Sequence, residues 1–382
     1  MDKAAISTAP EKEFNLDPGI CHLNHAAVAP WPLRTVQAVT AFCEENAATG
    51  SQRYAQWLNI EQQLRDRLAQ LINAQSSDEI ALLKSTSEAL SVVAWGLDWK
   101  PGDEVLISTQ EFPSNRIVWE SLKPLGVTVR QIETDVANTS PAQQLVDAMS
   151  EQTRLVSVSS VQYATGLALD LATIGRACRE RDIVFCVDAI QSIGALPFDV
   201  QACHADFVMA DGHKWMLGPE GLALFYCRQA WLERLTLRQF GWHMVEAMGD
   251  YDRVDWEPAQ TARRFECGSP NMLGIHALHA SIGLLLETGM EKISNLISVK
   301  VSYLIDNLIN KGAIILSETR PGQRAGIVTF RFPDEDTGKR YQYLQKQGVI
   351  CALRGGGIRF SPHFYTPQAV LDRALELACQ PL

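Results

Sequence analysis

Between residues 104 and 226 the chain alternates short apolar runs with stretches of helical spacing, and this rhythm restricts the possible fold more than any other feature. The strand-like runs cover 104–108, 127–132, 155–159, 183–188, 207–210 and 222–226. Their residues are apolar nearly throughout rather than at every second position, so both faces of the sheet must be covered. Helices between the strands supply that cover. The pattern predicts an α/β fold with a mostly parallel sheet sandwiched by helices. In such sheets ligands gather beyond the carboxyl ends of the strands.

Three polar groups fall at such ends. The run 183–188 finishes on Asp188, with Gln191 just after it. The run 207–210 leads into Asp211-Gly212-His213-Lys214-Trp215 ahead of a Gly218-Pro219 turn, so a strand delivers Lys214 into a cleft instead of displaying it to water. A further strand over 80–83 runs into Lys84-Ser85-Thr86-Ser87-Glu88 and a helix over 89–97. Small hydroxyl residues at a strand-to-helix junction aim unpaired N–H groups at one point and make an anion cradle. The same residues also read as a capping box, with Ser85 and Glu88 three apart. A lysine with a buried aspartate points to pyridoxal phosphate (PLP), in which the lysine forms a Schiff base and the aspartate pairs with the protonated pyridine nitrogen.

With 382 residues the chain has room for one large and one smaller domain. The expected division is an N-terminal segment over 1–20, a large PLP-binding domain over 21–273 and a small α+β domain over 274–382. Helices are expected over 33–46 and 57–72, then over 275–286, 292–311 and 368–378, with strands over 327–332, 349–353 and 358–361. A formal charge of −10 with no Lys/Arg cluster argues against nucleic acid as a partner. The polar N-terminus has no secretory core, and the longest apolar stretch is too short to cross a bilayer. Nine cysteines occur without a CxxC pair or metal-ligand spacing, which predicts free thiols in a reducing cytoplasm and no metal site.

Several motifs occur in a fixed order: Leu23-Asn24-His25-Ala26-Ala27, Thr86-Ser87-Glu88, Glu111-Phe112-Pro113-Ser114-Asn115, Val187-Asp188-Ala189-Ile190-Gln191-Ser192, Gly212-His213-Lys214, Arg264-Phe265-Glu266-Cys267-Gly268-Ser269-Pro270-Asn271 and Ile358-Arg359-Phe360-Ser361-Pro362. In this order the chain resembles the class V aminotransferase and cysteine desulfurase group of fold-type I PLP enzymes over nearly its whole length. The resemblance implies a seven-stranded sheet in the large domain and a homodimer with an active site shared across the interface.

It also implies residue roles. Lys214 is the expected Schiff-base lysine and proton shuttle, and Asp188 the partner of the ring nitrogen. Gln191 is expected to hydrogen-bond the ring oxygen and Phe112 to stack on the ring. Thr86, Ser87 and His213 are expected to hold the phosphate, with Ser160 among the cofactor contacts. Ser269 is expected to reach the phosphate of the partner subunit. Arg359 is the expected clamp for the substrate α-carboxylate, a task suited to a planar bidentate donor. Asn24 and His25 belong to the loop brought over the substrate.

Two departures from the group's pattern bear on function. Desulfurases carry a nucleophilic cysteine on a loop ahead of the carboxylate-binding arginine, and here that stretch is only Arg354-Gly355-Gly356-Gly357, with Cys351 the nearest thiol in an apolar strand. Asp211 stands where many relatives have a small hydroxyl residue, and a carboxylate repels phosphate unless it is turned away or paired. The expected activity is a C–S lyase acting on a small amino acid through a Cα carbanion, without a persulfide cysteine. Transamination, or epimerisation like that of isopenicillin-N epimerase, shares that carbanion, and the non-enzymatic alternative is a catalytically silent dimeric scaffold.

Overall fold

The computed structural model describes residues 10–134 and 140–381, so positions 1–9 of the expected N-terminal segment lie outside it. A two-residue strand β1 (Cys21–His22) precedes helices α1 (Leu33–Thr49) and α2 (Tyr54–Leu71). Both helices extend beyond their expected bounds because the polar break between them is a tight turn, entered at Gly50 with φ of 57°.

Seven strands form the main sheet: β2 (Ile80–Leu83), β3 (Glu104–Ser108), β4 (Thr128–Ile132), β5 (Thr153–Ser159), β6 (Val184–Asp188), β7 (Phe207–Asp211) and β8 (Ala223–Cys227). Their spatial order is β2-β8-β7-β6-β5-β3-β4. From β4 to β7 every pairing is parallel, while β8 and β2 are antiparallel to their neighbours. The reversal has a simple cause. The 212–222 link is too short for the crossover that a parallel strand needs, so β8 folds straight back beside β7.

Helices α3 (Thr86–Gly96), α4 (Ser114–Glu120), α5 (Pro141–Ala148) and α6 (Leu171–Glu180) connect the strands. The continuous apolar runs are explained by a core on each face. Val184, Cys186, Phe207 and Met209 belong to one core, whereas Phe185, Val187 and Val208 belong to the other. Only β4, at the sheet edge, is part-exposed along its length.

The apolar helix α7 (Met272–Thr288) packs against α1 and α2, and α8 (Met290–Asn310) follows it. Strands β9 (Ile314–Ile315) and β10 (Val328–Arg331), helix α9 (Thr337–Lys346), strands β11 (Val349–Ile350), β12 (Ala352–Arg354) and β13 (Gly357–Phe360), and helix α10 (Gln368–Cys379) complete the chain. A four-stranded antiparallel sheet has the order β12-β13-β10-β9.

The run 349–353, expected as one strand, divides at Cys351. β11 pairs in parallel with β1, and β12 pairs with β13. The N-terminal strand is thus hydrogen-bonded to the C-terminal set, which brings the Asn24–Ala27 loop to the end of the main sheet.

Candidate active site

Five elements bring their ends to one cleft of about 280 Å³: the C-terminal ends of β6 and β7, the start of α3, and the β12–β13 hairpin. Asp188 is the last residue of β6 and is buried, with Oδ1 accepting the Ile190 N–H at 3.1 Å. Its parallel neighbour β7 ends at Asp211, and the chain then turns to put Lys214 into the same cleft. Gly194 allows that turn to pack. It has φ of 95°, and a Cβ there would lie 2.2 Å from the Trp215 carbonyl oxygen.

Thr86, Ser87, Phe112, Gln191, His213 and Arg359 line the cleft with Asp188 and Lys214. Phe112 is partly exposed and edge-on to Tyr163, and the Lys214 Nζ lies 5.7 Å from the centre of its ring. Gln191 is fixed from both ends: its Nε2 donates to the Ala26 carbonyl at 3.0 Å, and its Oε1 accepts from Trp215 Nε1 at 2.8 Å.

Both readings of the Ser85–Glu88 turn hold. Ser85 Oγ accepts the Glu88 N–H at 3.2 Å and caps α3, and Glu88 Oε2 accepts the Lys84 N–H at 2.6 Å. The same helix start opens on the cleft through Thr86 and Ser87.

Four expected site residues are not in this cleft. Ser160 is buried one layer behind, its Oγ 2.6 Å from Ser192 Oγ and 3.3 Å from the Asp188 carbonyl oxygen. Asn24 forms an isolated bridge with Ser361, and its Oδ1 is buried without a partner. His25 is fully buried, and its ring is used up by the fold. The Ser361 carbonyl can only accept, so Nδ1 donates to it at 2.8 Å, and Nε2 accepts from the Tyr365 hydroxyl at 2.6 Å. Burial holds this imidazole well below its ordinary pKa, so it is neutral and has no free nitrogen for a substrate. Ser269 is exposed and lines a separate hollow with Lys84 and Glu88.

Two cleft residues escaped the sequence reading. Tyr163 follows β5, and its carbonyl accepts from Arg359 at 2.7 Å. Arg354 ends β12 and faces the same cleft as Arg359. The available signal was the Gly355-Gly356 turn, with φ of 59° and 77°, which folds β12 directly onto β13. The same tight hairpin leaves no loop ahead of Arg359. Among the described residues, none of those lining the cleft is a cysteine. Cys351 is buried beside Gln345, and burial pushes its thiol up to about 12.

Electrostatically the cleft is dominated by desolvation. Burial lowers Lys214 to about 8, against the opposing pull of Asp188 and with help from Arg359. Burial raises Asp188 to about 7, against the pull of Lys214. Burial and Lys214 bring His213 down to about 4, and burial with Arg354 brings Arg359 to about 10.

The residues fit PLP on this structure's own terms. A lysine poised to lose its proton faces a buried carboxylate, and a helix start supplies hydroxyls for an anion. In addition His213 Nδ1 and Arg359 Nε are buried without partners. Fold and site together define an enzyme of the PLP-dependent class.

The sequence model for class-V aminotransferases matches residues 21–366, and the chain belongs to that family. A probable cysteine desulfurase of Methanothermobacter thermautotrophicus is 33% identical, with 90% of each chain covered. Among solved structures, the cystine C–S lyase C-DES in complex with its reaction product cysteine persulfide superimposes with a TM-score of 0.87 at 25% identity, covering 94% of this chain and 98% of that one. A variant of C-DES with glycine covalently linked to its PLP cofactor gives the same TM-score and identity, covering 94% and 97%.

Proposed function

We propose that this enzyme is a C–S lyase that releases sulfur from a cysteine-derived amino acid by β-elimination, with no persulfide formed on a protein cysteine. The observation that carries the reading is the hairpin ahead of Arg359. It puts Arg354 into the cleft at the place where desulfurases have a cysteine-bearing loop, and the nearest thiol, Cys351, is buried and far from its thiolate range. The likeness to C-DES, named as a cystine C–S lyase, supports the same class of chemistry.

In this reading Lys214, Asp188, Gln191 and Phe112 would hold the cofactor's ring. Thr86, Ser87 and His213 hold its phosphate. PLP, when bound, supplies an electron sink for a carbanion. Arg359 receives the substrate α-carboxylate. Lys214, with a value of about 8, has a neutral fraction near physiological pH and takes the Cα proton. The Cβ–S bond then breaks, the sulfur leaves as thiol or persulfide with a proton, and hydrolysis of the three-carbon remainder gives pyruvate and ammonia. Arg354 adds a second cation to the cleft, which favours a substrate with a second carboxylate, such as the disulfide cystine.

The same proposal includes a homodimer in which Ser269 completes the partner's phosphate cradle. The 239–256 stretch, whose Gln239 Oε1 accepts from Cys267 Sγ, exposes Phe240, Tyr251 and Trp256 by 62%, 75% and 53%, and such apolar surface marks an interface. It also includes a cytoplasmic setting, in keeping with nine free cysteines and, among the described residues, no helix long and apolar enough to cross a membrane.

The test is to give the holoenzyme cystine, cysteine and alanine, and to assay pyruvate, persulfide and sulfide, α-keto acid and inverted enantiomer together. Pyruvate with persulfide from cystine, lost in Lys214→Ala, is the expected result. A keto acid that appears only with an amino acceptor establishes transamination instead, and inversion alone establishes an epimerase. A colourless protein with no turnover is a scaffold.

A further inference from the structure

Asp211 occupies part of the cradle that the start of α3 would otherwise offer to an anion. Its Oδ2 accepts the Thr86 N–H at 3.2 Å, and its own N–H donates to Thr86 Oγ1 at 3.1 Å. These two reciprocal bonds tie the end of β7 to the first turn of α3, and both residues line the cleft with Ser87 and His213. A small hydroxyl side chain at this position could donate to a phosphate oxygen. An ionised carboxylate can only accept, and it brings like charge. A protonated carboxyl does what the hydroxyl does. Its O–H donates outward while the other oxygen keeps the Thr86 N–H.

Starting from the PLP reading above, we propose that Asp211 links cofactor binding to proton uptake: its carboxyl gains a proton as the phosphate enters the cradle and loses it when the cofactor leaves.

The charged and titratable groups around Asp211 can be named. On its own segment Lys214 favours the ionised form and Glu220 opposes it, and Asp188 at the end of β6 adds like charge. His213, brought to about 4, contributes no charge near neutral pH. From α3 and α4 the cleft receives the hydroxyls of Thr86, Ser87 and Ser114, and Arg354 and Arg359 enter from the β12–β13 hairpin. Burial already lifts the Asp211 carboxyl above its ordinary range, and a phosphate dianion pushes in the same direction. The balancing consequence is that this enzyme holds its cofactor less firmly as pH rises.

The experiment uses the full chain stripped of cofactor and pyridoxine 5′-phosphate as the probe. That compound has the phosphate but no aldehyde, so it cannot bond to Lys214; Lys214 at about 8 and Asp188 at about 7 still titrate in this range, alike in wild type and in Asp211 variants, so the contribution of Asp211 is the difference between them. Calorimetry in buffers of different ionisation heat counts the protons taken up, between about pH 7 and 8.5, above the phosphate's own pKa of about 6. Wild type should take up close to one proton more than the Asp211 variants and lose affinity more steeply than they do, by up to about tenfold more per pH unit. Asp211→Asn and Asp211→Ser should lack that proton and show a shallower pH profile, binding at least about tenfold tighter than wild type at the upper end. Variants that keep the wild-type slope overturn the proposal. Absence of saturable binding by wild type and both variants alike overturns the cofactor reading on which it rests.

Discussion

Asp188 and Lys214 stand at the carboxyl ends of neighbouring parallel strands, and for each of them loss of water outweighs the attraction of the other. The carboxyl is driven up to about 7 and the ammonium down to about 8, so both titrate close to neutrality. Perturbed pairs of this kind are characteristic of sites where protons move.

For Asp188 the consequence is a stability profile in the cofactor-free chain. Below about pH 4 the folded and unfolded states are both protonated, and the carboxyl has no effect. Between about 4 and about 7 the folded state keeps a proton that the unfolded chain has lost, so stability falls as pH rises through this window. The total is on the order of 4 kcal/mol, at about 1.4 kcal/mol per unit. Asp188→Asn should flatten the melting temperature against pH over this window, as read by calorimetry. A variant that tracks the wild-type curve shows the assignment is wrong.

Arg354 and Arg359 should separate in kinetics. A charged hydrogen bond is worth about 1.5–3 kcal/mol, so Arg359→Lys, which loses the bidentate fork, should raise KM about 10- to 100-fold for every amino-acid substrate. Arg354→Ala should raise KM for cystine about tenfold and leave cysteine nearly unchanged. Equal effects on both substrates would remove Arg354 from the recognition of a second carboxylate.

Cys351 should be dispensable. It is buried with its thiol at about 12, and such a thiol is a poor nucleophile. Cys351→Ala should release sulfur at a rate within about twofold of wild type, since its burial keeps it out of the chemistry. Intact-mass analysis during turnover should find no added sulfur on the peptide that carries it. Loss of activity together with a persulfide at Cys351 in the wild type would restore the desulfurase mechanism.

His25 should affect stability ahead of chemistry. Its removal leaves the Tyr365 hydroxyl and the Ser361 carbonyl buried without this partner, at a cost of about 1–3 kcal/mol. His25→Ala should therefore melt several degrees lower, and adding Tyr365→Phe should recover part of the loss. At temperatures where the variant is folded, kcat should be close to wild type. A collapse of kcat with an unchanged melting temperature would return His25 to the substrate.

The sheet and the pair at its centre were readable because their signals are local. Apolar runs such as 183–187, alternating with stretches of helical spacing, read as strands covered on both faces, and a polar residue that ends such a run falls at the edge where ligands gather. For the same reason Lys214 and Asp188 could be named without any knowledge of what faces them. The expected strand over 349–353 failed because strand breaks depend on partners. β11 finds β1, more than 300 residues earlier, while β12 finds β13.

What only the tertiary structure decided are the contacts that join distant segments. Thr86 and Asp211 are separated by 125 positions, and no local pattern shows that one binds the other's carboxylate. His25 and Tyr365 are separated by 340, and their hydrogen bond turns an expected substrate-loop histidine into part of the core. The sequence by itself determined the layers, the lysine and its carboxylate, since each follows from hydrophobic period or position along a strand, whereas Arg359 was named only through the family resemblance. Charge states, the second arginine and the occupant of the anion cradle followed from burial and from which chain ends meet, and those are properties of the folded molecule alone.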